Sequence, residues 1–170
     1  MSYRNIILWT VAFLALGWVN LTIFQTERLI AEGEVIFLEI GPRDPRSLIQ
    51  GDYMAMRYRL ADNINVDSDL PSDGFLVIRL DERHIGHFVA LYDGQSDLGA
   101  DERLLSYRKR DRTIYLGPES FFFQEGQAEQ YAEARYAEVR LPATGEIILV
   151  DLRGPELERL VQPEDERVNP

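Results

Sequence analysis

The sequence predicts a mainly β protein, in which an N-terminal transmembrane helix is followed by one β-sandwich or barrel-like domain with a minor helix. Three observations carry this expectation. Residues 6–24, IILWTVAFLALGWVNLTIF, hold no charged side chain. Beyond them the chain breaks into short runs rich in Val, Ile, Phe, Tyr and Leu, separated by turn residues. After residue 33 only Gln127–Arg135 (QAEQYAEAR) suits a helix.

Taken in order, residues 1–5 form a short N-terminus and residues 6–24 the anchor. At about 1.5 Å per residue the anchor spans roughly 28 Å, close to the ~30 Å hydrocarbon thickness of a bilayer. Its threonines, Thr10 and Thr22, cost little there, because their hydroxyls can bond back along the helix. Trp9 and Trp18, the chain's two tryptophans, stand near its ends, where indoles favour the membrane interface. Arg4 and the α-amino group precede the run, whereas Glu27 and Arg28 after it cancel. Positive charge stays inside, so the N-terminus is expected in the cytoplasm and the remainder outside it. Ala15-Leu16-Gly17 offers a signal-peptidase-like site, but the apolar run continues to Phe24, as an anchor's does. A buried core helix would show a polar face, and no helical period gives one.

Residues 25–33 read as a polar stalk or a continuation of the helix, residues 34–154 as the extracytoplasmic β domain, and 155–170 as one turn of helix with a frayed tail. Nine runs are expected to be strands: Glu34–Ile40, Tyr53–Leu60, Phe75–Leu80, Ile85–Tyr92, Arg103–Arg108, Thr113–Leu116, Ser120–Gln124, Tyr136–Leu141 and Glu146–Leu152. In the second, Met54, Met56, Tyr58 and Leu60 share one face, with Arg57 and Arg59 on the other. Asp73-Gly74 and Asp93-Gly94 mark strand ends, and Lys109-Arg110-Asp111-Arg112 a hairpin tip.

The formal net charge of −11, from 18 basic and 29 acidic residues, would repel phosphate backbones, so no nucleic-acid partner is expected. The absence of Cys removes disulfides, thiolate metal sites and cysteine nucleophiles together. The domain must therefore hold together by its core, which an apolar content of 45% allows.

The densest local signal is Gly41-Pro42-Arg43-Asp44-Pro45-Arg46 followed by Gly51-Asp52-Tyr53-Met54-Ala55-Met56-Arg57-Tyr58. Here the chain resembles the GDYXXLXY proteins, a bacterial family named for that motif. Gly51, Asp52, Tyr53 and Tyr58 match, and Met56 stands where the pattern has Leu, a conservative change in an apolar slot. The resemblance extends to Pro42–Leu48 and to Ser120–Gly126 (SFFFQEG). It implies a membrane-anchored envelope component, often encoded beside multi-pass membrane proteins, at the bacterial inner membrane with its domain in the periplasm; no activity comes with it. Physically, the prolines fix an extended approach, and Asp52 can cap the turn or pair with Arg43 or Arg46. A structural corner is one reading. The other is a polar binding cluster of Arg43, Asp44, Arg46 and Asp52. Tyr53 and Tyr58 are an odd number of residues apart, so they face opposite sides of a strand.

Other constellations carry less chemistry. His84-Ile85-Gly86-His87 spells an aminoacyl-tRNA synthetase signature, but the lysine-rich partner motif is missing, since Lys109 is the chain's one lysine. The two histidines and Asp81-Glu82 form a metal set only if His84 sits in a turn, and no metal site is expected. Asn63, Asn65, Asp67 and Asp69 alternate like calcium ligands but lack the glycine and closing glutamate of a calcium loop. Ser47 with Lys109 is a distant echo of serine–lysine hydrolases. Phe121-Phe122-Phe123 cannot all face one core, so at least one points the other way, to cover a second layer, meet the membrane surface or contact a partner.

The expected function is that of a non-enzymatic, single-pass envelope protein without a cofactor, held by membrane lipid through its helix. Its β domain would bind a membrane or periplasmic protein. The alternatives are a membrane-bound serine–lysine type hydrolase and an envelope domain for a small, cationic ligand, suggested by the acidic surface.

Overall fold

The computed structural model describes residues 3–42, 53–65, 70–124 and 127–161. The chain divides into two compact units, Met1–Gly33 and Glu34–Pro170.

The first unit is one helix, α1 (Tyr3–Glu32). Neither Pro nor Gly interrupts residues 18–32, so the helix runs on through the expected stalk and stops at Gly33. Its apolar side chains are exposed all round: Trp9, Phe13, Leu14, Leu16, Trp18, Leu21 and Phe24 each leave more than half their surface open. Polar side chains fold back onto the backbone, Asn20 Nδ2 donating to Leu16 O at 2.8 Å and Thr22 Oγ1 to Trp18 O at 3.0 Å. The expectation of a membrane-spanning helix over 6–24 gains no support at this level. Among the described residues no helix is long and apolar enough to cross a membrane.

The second unit is a two-sheet antiparallel β domain. Its strands are β1 (Glu34–Pro42), β2 (Tyr53–Tyr58), β3 (Asp73–Leu80), β4 (Gly86–Leu91), β5 (Glu102–Arg110), β6 (Thr113–Tyr115), β7 (Ser120–Phe122), β8 (Tyr136–Leu141) and β9 (Ile148–Arg153). All nine expected runs are strands. They form a five-stranded sheet in the order β7-β2-β1-β8-β9 and a four-stranded sheet in the order β4-β3-β5-β6. β1 spends its first residues on β8 (Glu34↔Leu141 to Glu39↔Tyr136) and its last on β2 (Ile40↔Tyr58 to Pro42↔Met56). Its free edge opposite β8 then reaches the other sheet, where Phe37 N donates to His84 O at 2.9 Å. At a second junction Ser106 N on β5 donates to Gly145 O in the β8–β9 turn, at 2.9 Å. Backbone bonds thus join the sheets at two places, a barrel-like feature. Arg103 on β5 adds a two-pronged ion pair to Glu34 on β1, at 2.6 and 3.2 Å.

The core follows from strand alternation. Ile36, Leu38 and Ile40 of β1, Met54, Met56 and Tyr58 of β2, Leu76 and Ile78 of β3, Leu105 and Tyr107 of β5, and Ala137, Val139 and Leu141 of β8 all face inward and are buried. Every second residue contributes, as a pleat requires.

Three local differences from the sequence reading have tertiary causes. The second run ends at Tyr58, because Arg59–Asn63 turns into a 3-10 helix that tucks Leu60 and Ala61 into the core. The expected helix over 127–135 shrinks to α2 (Ala128–Tyr131). Tyr131 is pinned between Phe121 and Phe123, and Arg135 N must already donate to Arg153 O at 2.8 Å to enter β8. No helical turn occurs in 155–161; an Arg153↔Arg159 bridge folds this stretch back, and Leu160 and Val161 pack on the core.

After β4 the chain turns at Asp93-Gly94, with Gly94 at φ +78°. The Asp93 carboxylate accepts the backbone N–H of Gln95 and of Ser96, each at 2.9 Å, and the Ser96 hydroxyl at 2.8 Å. Those donors hold its pKa down at about 2, below the ordinary 3.8. A depressed folded value means the turn's stabilisation is complete above about pH 4 and lost as pH falls toward 2. The Gln95 and Ser96 amide resonances should therefore titrate with a midpoint near 2, and Asp93→Ala should abolish that transition in an NMR pH series.

Candidate functional site

The motif strand β2 sorts its residues by side. Met54, Met56 and Tyr58 are buried; Tyr53 and Ala55 are half-buried and Arg57 is exposed. Tyr53 and Tyr58 accordingly point to opposite faces. Tyr58, only 2% exposed, crosses the core and donates its hydroxyl to Pro118 O at 2.9 Å. Burial, reinforced by the nearby Glu119 carboxylate, raises its pKa well above the usual phenol value, so the hydroxyl remains a donor. Gly117, next to Pro118, lets the β6–β7 turn pack against Ile147. A Cβ there would stand 2.5 Å from Ile147 Cγ1 and 3.7 Å from the Tyr58 hydroxyl, so the glycine lets the β6–β7 turn lie flat on the core. At its C-terminal end the motif is a packing device. Arg43, Asp44, Arg46, Gly51 and Asp52 lie outside the described residues, as do Ser47, Asp67 and Asp69.

The triple phenylalanine divides by alternation, assisted by α2. Phe121 and Phe123 turn inward onto Tyr131, with ring centroids 5.2 and 5.1 Å apart. Phe122 faces out, 71% exposed, and leans on Tyr53 at 5.8 Å. β7 is the edge strand of its sheet and pairs with β2 through Tyr53↔Phe122. An outward aromatic pair therefore sits at a sheet edge, one ring from the motif strand and one from the triple phenylalanine.

The two histidines do not converge. His84 occupies the β3–β4 turn at φ 60°, and its backbone carbonyl is taken by Phe37. His87 Nε2 lies 2.9 Å from Asp81 Oδ2, while Asp81 Oδ1 accepts the Arg83 and Ile85 N–H groups at 2.9 Å. Asp81 is a turn cap. Among the described residues no three His, Asp or Glu side chains gather as a metal site. Lys109 does not stand as a free base either, since its ammonium donates to Leu70 O at 2.8 Å.

Two adjoining hollows flank the β5–β6 hairpin, of about 300 and about 410 Å³, and share Ser106, Tyr107, Arg108, Arg110 and Glu146. Their lining is more cationic than the whole-chain charge of −11 suggests, so the cationic-ligand idea drawn from net charge finds no acidic cleft here. Sequence reasoning took RKRDR as a hairpin tip and as the source of a candidate lysine base, not as an anion-facing cluster. Its signal was four basic residues of the chain's 18 concentrated within 108–112.

These features define a class: an exposed apolar helix followed by a two-sheet antiparallel β domain, with aromatic and arginine features on its surface. Within that class the chain belongs to the GDYXXLXY family, whose model, described as GDYXXLXY protein, matches residues 15–152. The match begins inside α1 and ends in β9. No curated protein and no solved structure is similar enough to match.

Proposed function

We propose that this protein is a bilayer-tethered, non-enzymatic docking module at the inner membrane, whose β domain engages a membrane or periplasmic protein through the Phe122–Tyr53 edge. The single observation behind it is Phe122, a large apolar ring left 71% exposed on an edge strand whose neighbours turn inward. An aromatic pair at a sheet edge combines apolar area with open backbone groups, the two components of strand-addition binding. The tether rests on the uncharged run 6–24 and on the exposed apolar surface of α1, which water disfavours at roughly 25 cal/mol per Å². Against hydrolysis stands the engaged ammonium of Lys109.

The test is site-specific photocrosslinking in native membranes. A photoreactive phenylalanine at position 122 should give one discrete, dominant adduct, and the same probe at exposed Val150 should not. Equal, diffuse labelling from both positions would remove the docking reading. Release of the full chain by alkaline carbonate would remove the tether.

A further inference from the structure

Ion pairing in the β domain leaves its positive charge unevenly spent. Arg57, Arg59, Arg79, Arg83, Arg103, Arg135 and Arg153 each meet a carboxylate. At the β5–β6 tip Arg110 and Arg112 meet none among the described residues, and both are exposed. Arg108 is held by Glu146 alone, at 3.0 Å, with both side chains about two-thirds exposed. A pair so solvated holds its arginine only weakly, so the guanidinium is available to a better acceptor.

Geometry places these groups on one hollow. Arg108 and Arg110 are two apart on β5 and lie on the same side of the strand, about 7 Å apart along it. Both line the hollow together with Tyr107, Tyr115 and Glu146. Lys109 and Asp73 border the adjoining one, so three cationic groups face two carboxylates. In a chain of net charge −11 this is a local reversal of sign, set in a half-open hollow rather than on a flat surface patch. Tyr107 is buried, and its hydroxyl is kept protonated by that burial and by Asp73.

We propose that the hollow beside the β5–β6 hairpin is an anion site that takes a phosphate group between Arg108 and Arg110. A carboxylate's two oxygens are saturated by a single guanidinium fork. Two forks about 7 Å apart need an acceptor with oxygens on more than one side, which the tetrahedral phosphate supplies. The volume of about 300 Å³ admits a phosphate with a small polyol such as glycerol attached. This site is independent of the aromatic edge and would stand if the docking reading fell.

Calorimetric titration of the full chain in a neutral detergent tests it. Glycerol 3-phosphate serves as a soluble monoester, and dihexanoylphosphatidylglycerol below its micelle concentration as a lipid-type diester. Saturable one-to-one binding of either ligand, weakening as salt rises, is the expected result. The monoester binding more tightly assigns a soluble phosphate, and the diester binding more tightly assigns a lipid headgroup. Arg110→Gln should weaken binding at least ~10-fold, Arg110→Lys less than Gln because charge survives without the fork, and Arg83→Gln not at all. Binding of neither ligand at millimolar concentration would overturn the site. So would an Arg108→Gln/Arg110→Gln double variant, shown folded by circular dichroism, that binds as tightly as the parent.

Discussion

Replacing Tyr58 by alanine is expected to destabilise the β domain by about 3–5 kcal/mol, the range for removing a buried aromatic side chain. The ring lies in the core between β1 and the β6–β7 turn, paired with Ile40 across the strands and bonded to Pro118 O at 2.9 Å. Tyr58→Phe keeps the ring and removes only the hydrogen bond to Pro118 O, so about 1 kcal/mol is expected. Urea unfolding of the full chain in detergent, followed by near-UV circular dichroism, separates these values. An alanine variant within ~1 kcal/mol of the parent would mean that this tyrosine is not a packing element. A pH series adds a second readout. Tyr58 has a folded pKa above its ordinary 10.0, so above pH 10 the unfolded chain loses protons that the fold retains. Stability should therefore fall as pH rises past 10, and the fall should be shallower in Tyr58→Phe. Tyr107 and Tyr131, raised chiefly by burial, contribute the remainder.

Arg153→Met is expected to cost a similar ~3–5 kcal/mol, by leaving the buried Glu138 carboxyl group without its partner. The two side chains are 10% and 11% exposed, and the guanidinium bonds the carboxylate through Nε and a terminal nitrogen. Glu138 lies opposite Asp151 in the β8–β9 ladder, with Arg153 one diagonal step away. Asp151 approaches Arg153 at 3.9 Å, so Glu138→Ala leaves the arginine a substitute and should cost less than Arg153→Met. Replacing both as Glu138→Leu/Arg153→Met removes the desolvation penalty together with the attraction, and should recover most of the lost stability. The same unfolding measurement decides: a double variant worse than either single one would mean that the pair adds stability beyond what an apolar pair can supply. The register shift between Glu138 and Val139 leaves the ladder irregular beside this pair.

The comparison of sequence with structure turns on which forces are local. Alternation places Met54, Met56 and Tyr58 on one side of a strand and Tyr53 on the other, whatever surrounds them, because the pleat has a period of two. By the same rule one of three successive phenylalanines must turn outward, and it is Phe122. Helix length was less legible. The segment 127–135 has the composition of a helix, yet Tyr131 is fixed by Phe121 and Phe123 and the chain is committed to β8 by Arg135. Leu60 alternates correctly with its strand but leaves it, since the 3-10 turn buries Leu60 and Ala61 side by side. The arginine hollow was invisible for a similar reason. Nothing in RKRDR reveals that Glu146, some 38 positions away, closes over Arg108, or that Tyr115 lies opposite it in the ladder.

Sequence alone determined the uncharged N-terminal run, the nine strands, the faces on which Tyr53 to Tyr58 lie and the family. Each of these depends on side-chain chemistry at a fixed local spacing. Tertiary structure alone decided the strand order, the two junctions between the sheets, the Tyr58–Pro118 contact, the buried Glu138–Arg153 pair and the clustering of cationic groups at one hollow. These depend on contacts between residues far apart in the chain, and local periodicity carries no information about which distant edges meet.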